Sequence, residues 1–166
     1  MRMVLFGVVL SVALLAGCSL TKVDMAHSLV QGDPEGAYAK VYFIRPHTEH
    51  PLGFADNALA VLVDGEALVS LVRGEYTLVY LKPRRVNVTL RNFTQTRGRW
   101  ELEEMERSAP FTFESGQTYF VLARAMDGEF RGAHFWPEAI DMVAAKQLSR
   151  HLKAADRAAN EPIGNL

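Results

Sequence analysis

The chain has 166 residues, a length that favours one domain with a short tail. Its 18 basic and 19 acidic side chains give a formal net charge of -1. That charge argues against a nucleic-acid-binding protein, which carries a basic excess to neutralise phosphates. The composition, 49% hydrophobic and 22% charged, is that of a folded globular chain. The single cysteine excludes an intramolecular disulfide and a cysteine-based zinc cluster.

The N-terminus predicts an exported protein. One basic residue, Arg2, precedes an apolar or small run from Met3 to Gly17. This order is typical of a secretory signal peptide, and the run is shorter than the roughly 20 apolar residues that span a bilayer. We therefore assign residues 1–17 to a signal peptide.

Cys18 follows this run directly. The tetrapeptide Leu15-Ala16-Gly17-Cys18 resembles the lipobox of bacterial lipoproteins, which are cut before the cysteine and acylated on its sulfur and its new amine. The alternative is a buried cysteine at the end of an uncleaved helix. Ser19 stands where an Asp would retain an enteric-type lipoprotein at the inner membrane, so the resemblance implies the outer membrane, facing the periplasm. We expect lipid on Cys18 as the membrane attachment and no other cofactor.

The mature chain begins with a predicted tether. Residues 18–37 contain Gly32, Pro34 and Gly36, which interrupt any long element, so we expect them to lift the domain off the bilayer.

Short apolar segments separated by turn residues fill residues 38–136 and predict a β-domain. Residues 39–45 are rich in β-branched and aromatic side chains, end at Pro46 and are apolar on both faces, so we expect a strand buried on both sides. Asp64-Gly65 predicts a tight hairpin turn. The other predicted strands are 59–63, 67–72, 76–81, 86–91, 100–103, 111–113, 118–125 and 129–135.

The period changes to that of a helix after Pro137. Apolar side chains recur at helical spacing from Ile140 to Leu152, with acidic residues near the start and basic residues near the end. We predict an amphipathic helix over residues 137–160 and a frayed tail over residues 161–166. The whole pattern predicts a mainly-β fold, an antiparallel β-sandwich of immunoglobulin- or transthyretin-like architecture with one C-terminal amphipathic helix.

Three segments carry a family resemblance. Ala39–Pro46, then Val63-Asp64-Gly65 followed by Gly74-Glu75-Tyr76, then Gly116–Val121 resemble a bacterial family of domains of unknown function, often lipoproteins, with the pattern YFxRP…VDG…GxY…GxTYFV. The resemblance implies a β-sandwich and an envelope location, and it implies no activity. The chain departs from the family pattern at residues 83–86, where Pro-Gly-x-His would be expected, so no histidine role transfers there.

Candidate metal and catalytic groups have simpler interpretations. His47, Glu49 and His50 could hold a divalent metal, but their spacing matches no established zinc pattern and a solvated loop is favoured. Carboxylates at residues 101, 103, 104 and 106 could form an acid–base pair, but strand alternation favours exposed charges. Neither a nucleophile elbow nor a phosphate-binding glycine loop occurs in the sequence. We expect no catalytic residues and no metal site.

Arg97, Arg99 and Trp100 are the candidate partner-binding residues, because arginine beside tryptophan is common at recognition hot spots. The alternative places Trp100 in the core and the arginines at a strand edge. We expect a non-enzymatic binding or structural module that contacts another envelope protein and no nucleic acid. The alternatives are a small metal-dependent or hydrolytic envelope enzyme and an apolar-ligand carrier, which needs a cavity of roughly 300 Å³ or more.

Overall fold

Two five-stranded sheets form a β-sandwich in the computed structural model, which describes residues 20–31, 37–47, 58–95, 102–126 and 134–166. The predicted mainly-β sandwich with one helix is therefore confirmed. The elements in chain order are β1 (Lys22–Val23), β2 (Ala39–Arg45), β3 (Leu59–Val63), β4 (Glu66–Leu71), β5 (Glu75–Leu81), β6 (Arg84–Gln95), β7 (Leu102–Phe113), β8 (Thr118–Met126), β9 (His134–Ile140), α1 (Met142–Ser149) and β10 (Lys153–Ala155).

The first sheet has the strand order β1-β4-β3-β6-β7, and every neighbouring pair in it is antiparallel. The second sheet has the order β10-β5-β2-β8-β9 and is mixed, because β2 runs parallel to β8 and β5 runs parallel to β10. β1 and β10 are therefore the edge strands on one side of the two sheets, and β7 and β9 are those on the other.

Burial on both faces of β2 confirms the prediction for residues 39–45. Val41 and Phe43 belong to the core between the sheets, while Tyr42 and Ile44 belong to a second apolar cluster on the outer face of the second sheet. The C-terminal segment covers that outer face, and Ile163 is fully buried there. The second sheet is thus enclosed between the first sheet and the C-terminus.

The Asp64-Gly65 hairpin between β3 and β4 is also confirmed. Both residues have positive φ, 51° and 87°, as a tight turn of the primed type requires. The turn at Gly74, with φ of 76°, has a different use, because it carries the chain from β4 in the first sheet to β5 in the second.

β7 is one strand of 12 residues, where the sequence predicted two separate strands. The interruption suggested by Pro110 does not occur. Proline is tolerated here because β7 is an edge strand, so the missing N–H removes no bond to a further strand.

The predicted helix over residues 137–160 is wrong in extent. Pro137 lies in β9, which pairs with β8 from Phe120↔Ile140 to Met126↔His134. α1 is limited to Met142–Ser149 and is capped by Asp141, whose side chain accepts a 2.8 Å hydrogen bond from the Ala144 N–H. β10 and a 3₁₀ helix, Asp156–Ala159, follow it. No helix in the described part of the chain is long and apolar enough to cross a membrane.

The C-terminal tail is docked rather than frayed. A short 3₁₀ helix, Ile163–Asn165, places the Ile163 side chain in the outer cluster, to which Tyr42 and Ile44 also belong. Burial of this one apolar residue orders a segment whose proline, glycine and asparagine had predicted disorder.

The predicted tether over residues 18–37 is wrong for residues 21–31. Lys22 and Val23 form β1 against β4, and Val30 bridges Leu81 at the edge of β5. The side chains of Thr21 and Leu29 are buried. The apolar residues of this segment cover the open side of the sandwich, so the folded domain begins at Thr21.

Candidate functional site

A groove opens on the side of the sandwich where β1 and β10 form the sheet edges. Its volume is about 560 Å³. The N-terminal segment forms one wall, the 3₁₀ helix Asp156–Ala159 forms the other, and β5 forms the floor. The lining residues are Lys22, Val23, Met25, Val30, Leu78, Val79, Tyr80, Asp156, Arg157 and Asn160. We call this the lateral groove.

The floor of the lateral groove is a stretch of strand edge. β10 pairs with Glu75–Thr77 of β5, and Val30 bridges Leu81 at the other end of the same strand. Between these contacts, Leu78 and Val79 have no strand partner on this side among the described residues, while the Tyr80 carbonyl accepts a 2.8 Å hydrogen bond from the Gln31 N–H. An uncovered strand edge offers backbone donors and acceptors to an extended ligand.

Asp156 is the most unusual polar residue in the groove. Its φ is 48°, in the left-handed region that Asp and Asn enter more readily than other L-residues. Partial burial and, second, the neighbouring charge of Glu75 raise the pKa of its carboxyl above the usual range. The Asp156 carboxyl therefore holds its proton at a higher pH than an Asp in free solution does.

Glu75 is buried at the start of β5. Its Oε2 accepts a hydrogen bond of 3.3 Å from the Thr21 N–H, and the Nζ of Lys153 lies 3.8 Å from its Oε1. It is the cross-strand partner of Arg45, whose side chain is completely buried. Charged groups at this end of the sandwich therefore form part of the core.

The far wall of the groove is aromatic and cationic. The Arg157 guanidinium lies 4.4 Å from the centroid of the Tyr80 ring, and that ring stacks on Tyr38 at 4.5 Å. The Tyr80 hydroxyl donates to the Glu161 carboxylate, which also pairs with Lys40. These contacts fix the position of the ring and make the wall rigid.

Tyr42 lies beneath the same C-terminal segment. Its hydroxyl donates to the Glu161 carbonyl oxygen at 2.8 Å. Burial, followed by the charge of Glu161 and the proximity of Tyr76, raises the pKa of Tyr42 to about 12. The phenol therefore stays protonated and acts as a structural donor.

The candidate residues singled out in the sequence lie away from the groove or outside the described residues. Cys18, Arg97, Arg99 and Trp100 fall outside them, as do Glu49, His50 and Glu101. His47 is exposed, and its ring lies beside Gly74. In the part of the chain that the structure describes, no group of three or more His, Cys, Asp or Glu side chains is placed to hold a metal ion.

The described carboxylates of β7 are exposed or half-buried. Arg91 on β6 pairs with Glu106 and lies 3.5 Å from Glu104. These contacts are cross-strand ion pairs on a sheet surface. The prediction from strand alternation concerned Glu101 and Glu103; Glu101 lies outside the described residues and Glu103 is half-buried.

The groove residues were missed in the sequence because they come from three distant segments. Asp156 lies within the range of the predicted helix, and nothing in the sequence distinguishes it from the other polar residues there. Arg45 did carry a usable signal, since strand alternation places it on the same face as Val41 and Phe43.

Comparisons of the chain with protein-family models, with curated proteins and with solved structures gave no match.

Proposed function

We propose that this protein is a lipid-anchored component of the bacterial cell envelope whose domain binds an extended segment of another envelope protein in the lateral groove. The Leu15-Ala16-Gly17-Cys18 sequence supports the anchor. The uncovered edge of β5 within the groove supports the binding role. The domain acts through binding rather than catalysis.

The observation that carries this proposal is the gap in pairing along β5. Leu78 and Val79 offer about 7 Å of strand edge, at about 3.3 Å per residue, between β10 and the hydrogen bond from the Gln31 N–H to the Tyr80 carbonyl. An extended peptide that adds to such an edge gains main-chain hydrogen bonds, and side pockets select its side chains. Here Val23 and Met25 supply apolar contact, and Arg157 supplies a cation at the rim.

Site-specific photocrosslinking in the native envelope tests the binding role. A photoreactive residue at Met25, which is exposed in the groove, should capture one discrete envelope protein. The same residue at Met142, which is also exposed, on α1 and outside the groove, is the matched control. Equal capture from both positions, or none from Met25, would contradict the proposal.

Filling the groove should compete with the partner. Asn160 is exposed and lines the groove, while Asn165 is exposed outside it. Asn160→Trp should therefore abolish capture from Met25, and Asn165→Trp should leave it unchanged. Both variants should retain the melting temperature of the parent, because neither side chain is buried.

The anchor has its own test. Cys18→Ala should abolish incorporation of labelled fatty acid and release the protein from the membrane fraction. Acylation of the variant would show that another residue carries the lipid and would overturn the anchor assignment.

A hydrolytic enzyme is the second candidate, favoured by Asp156. Its raised pKa and left-handed backbone are features that cluster at functional sites. If the groove is catalytic, Asp156→Asn should abolish release of product from the captured ligand while the ligand still binds. The binding proposal instead expects the ligand to be recovered intact from the unsubstituted protein.

An apolar-ligand carrier is favoured by the apolar part of the groove, which Val23, Val30, Leu78 and Val79 supply. Native mass spectrometry of the purified protein distinguishes this candidate. A bound lipid of fixed mass, displaced in Asn160→Trp, would support the carrier over the peptide-binding module.

A further inference from the structure

The domain begins very close to its proposed lipid anchor. The Thr21 N–H donates to Glu75, and the Thr21 hydroxyl accepts a 3.0 Å hydrogen bond from the Val72 N–H. Cys18 precedes Thr21 by three residues, which span about 11 Å at most when extended. An acylated Cys18 therefore holds this part of the domain against the bilayer.

In each sheet, one end of the strands lies close to Thr21 and therefore to the proposed anchor. Val72–Gly74 connect the end of β4 in the first sheet to the start of β5 in the second, and Thr21 contacts this connection. The strand registers place the end of β6 and the end of β8 at this same end, since Ala60 pairs with Arg91 and Ile44 pairs with Leu122. We call this the anchor end.

The hairpins β6–β7 and β8–β9 project from the anchor end. Beyond the level of Thr21, β6 continues to Gln95 and β8 continues to Met126, about three residues or about 10 Å in each case. This projection equals the reach of the chain from Thr21 to Cys18. With the lipid in the membrane, the hairpins therefore reach the bilayer surface.

The anchor end carries more of the exposed large apolar side chains than any other part of the described chain. Five large ones have between 42% and 68% of their surface exposed, namely Leu20, Phe93, Leu102, Met126 and Trp136. Four others among the described residues, Met25, Met142, Val143 and Leu166, lie elsewhere. Three of these four lie toward the opposite end, because Met142 and Val143 follow the Ile140 end of β9 and Leu166 lines a pocket with Gly116 and Thr118. The other large exposed side chains described at that end are polar and include Asp64, Lys82, Arg84, Arg85 and Glu114.

The charges near the anchor suit an anionic lipid surface. Lys22, Arg73 and Lys153 are exposed around the point where the chain enters the domain. Among the described acidic groups near this end of β7, Glu104 and Glu106 lie close to Arg91, and Glu103 is half-buried. Basic side chains near a bilayer are attracted by anionic headgroups.

We infer that the anchor end lies on the bilayer surface, with Leu20, Phe93, Leu102, Met126 and Trp136 in the interface. The inference rests on the proposed lipid anchor. Tryptophan is enriched at the membrane interface, where its apolar ring and polar N–H are both satisfied. The lateral groove, which Lys22 and Val23 help to line, then lies next to the first residues after the anchor.

Trp136 is the natural reporter of this contact. The full-length protein carrying Trp100→Phe is acylated in cells, purified and reconstituted in vesicles of phosphatidylethanolamine and phosphatidylglycerol, with and without bromine on the acyl chains. Bromine should lower the Trp136 emission by about two-fold or more, because it quenches indoles in the interface. The control carries Trp136→Phe and Arg85→Trp as well, which places the indole at the opposite end, and should show no quenching.

Mass spectrometry of the N-terminus separates the possible failures. If the chain is not acylated, the proposed anchor is wrong and this inference falls with it. If the chain is acylated and vesicle-bound but bromine leaves Trp136 emission unchanged, the docking alone is wrong.

A second pair of variants tests the apolar contacts. Phe93→Ser with Leu102→Ser should reduce the quenching of Trp136, whereas Met142→Ser with Val143→Ser should not. All four side chains are exposed, so both variants should keep the parental melting temperature. Equal quenching in the two variants would contradict a role for Phe93 and Leu102 in the interface.

Discussion

Replacing Leu29 by alanine measures how strongly the N-terminal segment is bound to the domain. Leu29 is 6% exposed within the inter-sheet core, and its carbonyl accepts a 2.9 Å hydrogen bond from the Lys82 N–H. Leucine-to-alanine changes in a core cost about 2–5 kcal/mol. Because Leu29 lies at the edge of the core on a segment that can relax, we expect about 2–3 kcal/mol. For a domain of this size that cost corresponds to a Tm about 4–12 °C lower.

Urea unfolding of the chain from Ser19 onward gives the measurement. Met25→Ala is the matched control, since Met25 is on the same segment but 54% exposed, and it should change the free energy of unfolding by less than about 0.5 kcal/mol. If Leu29→Ala is as stable as Met25→Ala, residues 20–31 behave as a tether and the domain does not begin at Thr21.

Three further predictions concern the turn, the tail and the groove. Gly65→Val should cost about 1–3 kcal/mol through backbone strain alone, because φ is 87° and no atom lies within 4 Å of an added Cβ; Gly65→Asn should cost less in the same urea titration. Ile163→Ala should lower stability by about 2–4 kcal/mol, whereas Gly164→Ala, which meets open space, should be neutral by calorimetry. The pKa of Asp156 is raised above 3.8, so the native state binds its proton more tightly than the unfolded chain does. Wild type should therefore lose stability relative to Asp156→Asn as the pH rises above that value, and the difference should become independent of pH at low pH, where the carboxyl is protonated in both states, in unfolding titrations.

The strands that matched their predictions have strong local signals. β2 is apolar at every central position, a pattern typical of a strand that is covered on both faces. Asp64-Gly65 supplies the positive φ of a tight turn. Both features depend on residues within a few positions of each other. They could therefore be read without knowing the remainder of the fold.

The C-terminal errors come from competition between local and non-local preferences. Residues from Ile140 onward carry helical spacing, but residues 134–140 gain seven cross-strand partners along β8. Pairing with a distant strand outweighs a local pattern that would bury only one face of a helix. Pro137, which suits the first turn of a helix, is equally compatible with an edge strand.

The lateral groove could not be predicted because its geometry depends on contacts far apart in the chain. The pKa of Asp156 responds to Glu75, which precedes it by 81 positions, and the floor is open only where β10 ends. No short motif encodes either feature. The burial of Leu29 was not predicted because the neighbouring glycines and proline indicated a segment without regular structure. Such a segment can still bury a single apolar side chain.

The buried charges beneath Thr21 explain why the chain enters the domain in a fixed direction. The Arg45 Nη1 donates to the Leu71 carbonyl at 3.0 Å, and its guanidinium lies 5.0 Å from the Phe135 ring. Its cross-strand neighbour Glu75 accepts from the Thr21 N–H. A buried charge tolerates little displacement from its partners, because losing one leaves an uncompensated charge in the core. Apolar contacts at Leu29 alone would allow the segment to slide, whereas these directional bonds fix Thr21. The short chain to Cys18 therefore sets the orientation of the sandwich as well as its distance from the proposed anchor.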